Sequence, residues 1–134
     1  MPTRSDGARL SLTALLVRDY DEAIDWYVNV LGFRLVADDD QGGGKRWVVI
    51  EDEAGRGLLL AKAKMPEELA AVGNQHGGRV GFFLQVDNFA EAYGRLATAG
   101  TAFDEEPRHD TYGKVAVFRD LYGNRWDLIE PNPN

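Results

Sequence analysis

The chain has 134 residues, of which 44% are hydrophobic and 28% charged, as is ordinary for a folded domain with one hydrophobic core. Its net charge of −7 argues against binding to nucleic acid or to an anionic membrane surface, because both need a basic face. The lack of cysteine excludes disulfides, a thiolate nucleophile and a cysteine-based zinc site, and no apolar run is long enough to span a bilayer. The polar first residues contain no hydrophobic signal segment, so we expect a cytoplasmic protein.

The first half of the chain predicts a strand, a helix and three further strands. The helix begins after Asp19, an N-cap residue that has Glu22 three positions later to complete a capping box, and it ends at Gly32. The predicted strands cover residues 10–17, 33–37, 45–51 and 58–62. A polar, glycine-rich turn is expected over residues 38–44.

The second half predicts the same order of elements. A connector with a short helix over residues 65–72 separates the halves. Asn88 is the expected N-cap of the second main helix, and Gly100 ends it. The predicted strands cover residues 79–86, 102–106, 115–119 and 125–130.

The two halves also resemble each other residue by residue. Residues 17–23 (VRDYDEA) match residues 86–92 (VDNFAEA), and Ala92 follows Ala23 by 69 positions (92 − 23). Gly123 follows Gly55 by 68 positions (123 − 55) in a second matching stretch. Such near-constant spacing indicates one structural unit used twice. We therefore predict an α+β fold in which two tandem βαβββ units form a curved mixed sheet, with helices on the outer face and a concave cleft.

The domain organisation follows from this repeat. Residues 1–134 are expected to form one domain, with repeat one at about 10–62, a connector at 63–78 and repeat two at about 79–131. Side-chain alternation places an apolar row that includes Trp126 under the helices. The mixed row on the opposite face comprises Phe83, Gln85, Arg125, Asp127 and Ile129. An apolar surface with a few polar groups is typical of a small-molecule pocket.

These motifs resemble those of the vicinal-oxygen-chelate superfamily, which includes glyoxalase I, bleomycin-resistance proteins and extradiol dioxygenases. The resemblance is carried by residues 17–27 (VRDYDEAIDWY), 30–33 (VLGF) and 118–130 (FRDLYGNRWDLIE), and it extends from about residue 10 to residue 131. It implies the fold strongly, whereas the activity differs among members.

The resemblance also identifies the positions at which metal-dependent members hold their ion, on the first and fourth strands of each unit. Counted from the helix caps and the turn glycines, these positions are Leu12, Leu59, Gly81 and Asp127. Only Asp127 has a side chain that binds a metal, and one carboxylate does not hold a divalent ion tightly. The resemblance therefore implies a metal-free member without a cofactor, closer to the bleomycin-resistance proteins than to glyoxalase I.

We accordingly expect a protein that binds a small molecule in a cleft lined by apolar, aromatic and a few polar residues. The expected lining residues are Leu12, Trp47, Leu59, Phe83, Gln85, Tyr112, Arg125 and Asp127. The candidates for a catalytic group are Asp127 and His109, whereas His76 is expected in an exposed loop. Because family members are often dimers, the resemblance implies a homodimer, with the cleft formed within one chain or between two.

Two other functions remain open at this point. An unusual ligand set, such as Asp127 and His109 with waters, would make the protein a metal-dependent lyase of the glyoxalase I type or a dioxygenase. A third possibility is an interaction module whose cleft is empty and whose role is dimerisation.

Overall fold

The computed structural model describes residues 5–133, and these contain eight strands and three helices. The elements of the first unit are β1 (Leu12–Val17), α1 (Tyr20–Asn29), β2 (Arg34–Gly42), β3 (Lys45–Glu51) and β4 (Gly57–Lys62). The connector carries α2 (Pro66–Ala71). Those of the second unit are β5 (Val80–Gln85), α3 (Phe89–Thr98), β6 (Arg108–Asp110), β7 (Gly113–Arg119) and β8 (Arg125–Pro131). No helix within residues 5–133 is both long and apolar enough to cross a membrane.

Each unit forms its own four-stranded mixed sheet. The strand order is β1-β4-β3-β2 in the first sheet and β5-β8-β7-β6 in the second. In both sheets the first strand of the unit runs parallel to the fourth, and the other neighbours are antiparallel. The structure thus confirms the α+β fold and the tandem βαβββ units, with the strands divided between two hydrogen-bonded sheets.

The helix caps predicted from the sequence are present in both units. The Asp19 carboxylate accepts a hydrogen bond from the Glu22 backbone N–H at 2.8 Å, and the Asn88 side chain accepts one from the Glu91 N–H at 3.1 Å. The reciprocal half of the first capping box is absent, however. The Glu22 carboxylate instead accepts a hydrogen bond of 2.7 Å from the Tyr122 hydroxyl, which ties the helix start to the second unit.

The turn between the third and fourth strands of each unit, β3–β4 and β7–β8, has the same structure in both units. Asp52 and Asp120 each accept hydrogen bonds from the backbone N–H groups two and four residues later, at 2.9–3.0 Å. Gly55 and Gly123 close these turns with φ angles of 84° and 99°, which a glycine adopts without strain. The structural repeat therefore extends to individual hydrogen bonds.

Two strands differ from the sequence prediction. β2 continues through the predicted turn to Gly42, because it pairs with β3 and because Arg46 forms an ion pair with Asp38 at 2.7 Å across the two strands. The sixth strand is Arg108–Asp110, and within the predicted range of 102–106 Phe103 makes only an isolated bridge. Both differences come from cross-strand pairing, which the local sequence does not encode.

The helix-facing sides of the two sheets share one hydrophobic core. The first sheet contributes Leu15, Val17, Val48, Ile50, Leu58 and Leu60. The second sheet contributes Phe82, Ala116, Phe118, Trp126 and Leu128. Tyr27 of α1 is fully buried between them, with its ring centroid 6.0 Å from that of Trp126.

A buried carboxylate lies at the centre of this contact between units. Asp120 is only 6% exposed and accepts hydrogen bonds from the Tyr27 hydroxyl at 2.5 Å, the Asn124 amide at 3.0 Å and the Trp126 indole N–H at 3.1 Å. Burial, together with the Asp120 charge, raises the pKa of Tyr27, so this phenol stays protonated and remains a donor at neutral pH.

Replacement of Asp120 by alanine should therefore lower the free energy of unfolding by about 3–5 kcal/mol, because buried donors lose their charged acceptor. The matched control is Asp52→Ala, since Asp52 forms the same turn but accepts only two backbone N–H groups. This control should cost about 1 kcal/mol. Urea denaturation of both variants measures the difference, and equal losses would show that Asp120 acts only as a turn residue.

Candidate functional site

Each sheet has a second face, turned away from the shared core, which we call its open face. The centre of the open face of the first sheet is apolar and comprises Leu12, Ala14, Leu16, Trp47, Val49, Leu59 and Ala61, with Asp39 and Glu51 towards its margin. The open face of the second sheet is mixed and consists of Phe83, Gln85, Val115, Val117, Asp127 and Ile129. Both follow from strand alternation, because the neighbouring residues on each strand belong to the core.

The leucines at two of the family's ligand positions belong to the open face of the first sheet. Leu59 pairs with Ala14 on one side and Val49 on the other. The side chain of Leu12 lies over Gly57, where a Cβ would come within 2.7 Å of its Cδ2 atom. This surface is therefore apolar at two of the positions where the resemblance predicts metal ligands, and it disfavours an unpaired cation.

Phe83 and Asp127 form a pair at the centre of the other open face. They are direct partners in the β5–β8 ladder, and Gln85 pairs with Ile129 beside them. The Phe83 side chain is 69% exposed, although it belongs to the middle of a strand. The Asp127 carboxylate makes no hydrogen bond or ion pair within residues 5–133. The surface thus combines an exposed aromatic ring with a free acceptor.

The environment of Asp127 favours its protonated form. Partial burial raises the pKa of this carboxyl, and the charges of Arg108 and Arg125 oppose the rise without cancelling it. A ligand that donates a hydrogen bond to this carboxylate would stabilise it, because no donor within residues 5–133 does so.

The structure does not bring His109 and Asp127 together. In the β6–β7 ladder Arg108 pairs with Val115, whereas His109 pairs with Lys114. Since Val115 belongs to the open face, Arg108 is on the side of Asp127 and His109 is on the opposite side. Tyr112 is half exposed in the adjoining turn, with its hydroxyl 3.4 Å from Arg108 Nη1.

Trp47 and Arg125 occupy different surroundings from the Phe83–Asp127 pair. Trp47 is 38% exposed on the first sheet, where it pairs with Asp39 of β2. Arg125 is bound at the end of the second sheet, because its Nε donates to Asp104 at 2.8 Å and its Nη1 to the Gly78 carbonyl at 3.1 Å. The predicted lining residues therefore fall on two faces, one sheet end and the β6–β7 turn.

His76 lies in an exposed turn, as the sequence predicts, but sequence reasoning missed its contact with β5. Its ring contacts the edge of Phe82, with 4.9 Å between the ring centroids, and a Cβ on Gly81 would overlap the imidazole. Glycine at this family ligand position thus makes room for a histidine that comes from the connector. An isolated glycine within a bulky strand was the available sequence signal, because it often marks a close approach.

The donor set does not fit a resident metal. Within residues 5–133 no three His, Asp or Glu side chains come together in a way that would hold an ion. Leu12, Leu59 and Gly81 supply no donor, and Asp127 alone offers too few oxygens for a zinc, nickel or iron site.

Comparison with known proteins agrees with the architecture. Residues 9–128 match the family model of the Glyoxalase/Bleomycin resistance protein/Dioxygenase superfamily. The chain belongs to this superfamily. An uncharacterised protein of Shewanella frigidimarina (strain NCIMB 400) is 51% identical over 122 residues, which cover 89% of this chain and 90% of that protein.

Two solved structures resemble most of the chain. The crystal structure of UcmS2 is 34% identical with a TM-score of 0.74, and the match covers 91% of this chain and 97% of UcmS2. TnmS3, an antibiotic binding protein from Streptomyces sp. CB03234, is 29% identical with a TM-score of 0.76. That match covers 93% of this chain and 97% of TnmS3.

The pKa of Asp127 makes a prediction about stability. Because the folded state raises this pKa, the unfolded chain ionises at this residue first, and the contribution of Asp127 to stability falls as the pH rises above about 4. Asp127→Asn cannot ionise, so its free energy of unfolding should exceed that of the wild type at pH 7. The gain should stay below about 1 kcal/mol, since solvent screens a partly exposed carboxyl.

Urea denaturation at pH 4 and pH 7 measures this difference. Asp87→Asn is the control, because it removes the same formal charge from an exposed position next to β5. A variant at position 127 that loses stability relative to the wild type at pH 7 would show that the carboxylate has a stabilising partner.

Proposed function

We propose that the protein is a metal-free small-molecule-binding protein, with its ligand held in a cleft on the open face of the second sheet. The observation that carries this proposal is the unpartnered Asp127 carboxylate beside the exposed ring of Phe83. We further propose that residues 1–134 act as one binding domain, with repeats at about 10–62 and 79–131 joined by the connector at 63–78.

The chemistry of this face indicates the class of ligand. Phe83 offers a flat apolar surface on which an aromatic ring can stack, and Ile129 extends that surface. Asp127 accepts a hydrogen bond and therefore favours a ligand with an N–H or O–H group. We propose an organic molecule with an aromatic body and at least one donor, and the similarity to the antibiotic binding protein TnmS3 supports an antibiotic-like compound.

We also propose that a homodimer completes the cleft. Because the helix-facing sides of both sheets share one core, the open faces take no part in that core, although Val49, Val115 and Val117 on them are already buried within the chain. Exposed Phe83 and Trp47 leave these faces partly uncovered. A two-fold arrangement that sets the first sheet of one protomer against the second sheet of its partner would cover both and create two equal sites. Leu12, Leu59 and Trp47 would then form the apolar wall opposite Phe83 and Asp127.

The arrangement supports binding better than catalysis. Acid–base catalysis by Asp127 and His109 as a pair would need both groups at one substrate, and His109 lies on the other side of its strand pair. A catalytic role for His109, like a cytoplasmic location, stays a prediction from the sequence. The metal-dependent lyase or dioxygenase is the alternative that the experiments below would reveal.

Ligand binding can be tested with a thermal-shift panel of aromatic antibiotics, followed by calorimetry on any compound that raises the melting temperature. Phe83→Ala should weaken binding by about tenfold or more, since an exposed aromatic anchor is removed. Leu35→Ala is the control, because Leu35 is exposed but pairs with Ile50 on the other side of the first sheet. Equal affinity in the wild type and the Phe83 variant would place the ligand elsewhere.

Metal content gives an independent test. We expect elemental analysis of protein purified without chelators to find no stoichiometric zinc, nickel, iron or manganese, because three of the four family positions lack a donor. Stoichiometric metal, together with chelator-sensitive turnover of the methylglyoxal–glutathione hemithioacetal or of a catechol, would establish the enzymatic alternative instead.

The dimer can be tested by sedimentation. Wild-type protein should have twice the chain mass, and Leu16→Glu should shift it towards the monomer by placing a charge in the apolar contact. Leu35→Glu, on the other side of the same sheet, should leave the dimer intact. A wild-type monomer at the concentrations used for ligand binding would contradict the dimeric cleft.

A further inference from the structure

A cavity lies at the end of the second sheet, where the connector meets the β7–β8 turn. Its volume is about 120 Å³, and its walls include His76, Arg79, Arg119 and Arg125. Three arginines around one small cavity are unusual in a chain whose net charge is −7. We call it the arginine cavity.

Contacts to backbone carbonyl groups hold the walls of the arginine cavity in place. Gly73 packs so closely on the Tyr122 carbonyl that any Cβ at this position would overlap the oxygen, and its φ angle of 79° also favours glycine. Arg125 donates to the Gly78 carbonyl at 3.1 Å, and Arg119 donates to the Gly123 carbonyl at 3.2 Å. The connector and the turn are thus held together, which gives the cavity a defined shape without a ligand.

The cavity carries an excess of positive charge. Arg119 and Arg125 share a single carboxylate, that of Asp104, at 2.7 Å and 2.8 Å. Burial opposes ionisation of Asp104, but the hydrogen bonds from these two arginines outweigh it and lower its pKa, so the carboxylate offsets one charge at neutral pH. The guanidinium of Arg79 makes no ion pair within residues 5–133. Two positive charges are therefore left over.

Donor groups also remain available for a ligand. A guanidinium has five N–H donors in a planar fork. Arg119 and Arg125 use Nε and Nη1 for the contacts described above, and the Nη2 group of each makes no hydrogen bond within residues 5–133. Both side chains are partly exposed, so solvent and small ligands reach them.

The fold itself does not require these arginines. The first unit builds the same turn with the same hydrogen bonds, yet the positions that match Arg119 and Arg125 at an offset of 68 hold Glu51 and Gly57. The position that matches Arg79 at an offset of 69 holds Leu10. Since one copy of the frame forms without them, the three arginines are surplus to the architecture of the turn.

We propose that the arginine cavity binds a phosphate group, either as free phosphate or as the monoester of a small molecule. Guanidinium forks match the oxygens of a phosphate and form short, charge-assisted hydrogen bonds with them. Arg79 supplies a charge without a protein partner, Arg119 and Arg125 supply the free Nη2 donors, and His76 contributes to the wall. Arg125 borders the Phe83–Asp127 surface, since its charge also acts on Asp127, but phosphate binding at the arginine cavity does not depend on the function proposed for that surface.

The test is an NMR titration of the full chain with inorganic phosphate and with phenyl phosphate, at an ionic strength held constant with sodium chloride. We expect saturable shifts of the backbone amides of Gly78, Arg79 and Asn124. Arg79→Gln should weaken binding by about tenfold, the loss that corresponds to one charge-assisted hydrogen bond. Arg56→Gln is the matched control, because it removes an exposed arginine from the equivalent turn of the first unit and should leave the affinity unchanged.

The outcomes separate the two sources of the phosphate group. Tighter binding of phenyl phosphate than of inorganic phosphate indicates a monoester as the natural ligand, and the reverse order indicates free phosphate. Absence of saturable shifts at these amides would overturn the proposal. So would equal weakening by Arg79→Gln and Arg56→Gln, because it would show general screening of charge rather than a site.

Discussion

The buried carboxylate of Asp120 accepts hydrogen bonds from both units, and the relative placement of the two sheets depends on it. Its donors are the Tyr27 hydroxyl from the first unit and the side chains of Asn124 and Trp126 from the second, besides two backbone N–H groups of its own turn. A buried charge is stable only when it is fully hydrogen-bonded, so these donors have little freedom to move. Tyr122 strengthens the same contact through the Glu22 carboxylate.

This contact decides where a ligand can bind. Because α1 and the β7–β8 turn are held together, the helix-facing sides of both sheets are buried in one core and are not accessible to a ligand. Three of the surfaces outside this core are the two open faces and the junction of the connector with the turn. The first open face is apolar, the second presents Phe83 and Asp127, and the junction presents arginines. Each surface therefore favours a different chemistry, although all three are built on the same repeated frame.

The repeat shows which residues the frame needs and which are free to vary. Both turns keep an aspartate and a glycine, since the backbone N–H groups and the positive φ angle require them. Between these fixed points the units differ, with Leu59 in one copy where the other has Asp127, and Gly57 where the other has Arg125. Differences of this kind carry function, because packing does not dictate them.

The sequence by itself determined the two-unit architecture, both helix caps and the core-facing side of the fifth and eighth strands. These features depend on local spacing, cap chemistry and alternation, all of which can be counted along the chain. It also identified Phe83 and Asp127 as neighbours on one face, since both occupy the non-core row of their strands. Only the tertiary structure decided the length of β2, the position of β6 and the separation of His109 from Asp127, because these depend on cross-strand register. The tertiary structure also decided that His76 contacts Gly81 and that Arg79, Arg119 and Arg125 line one cavity. These residues are far apart in the sequence, and no local pattern predicts that they pack together.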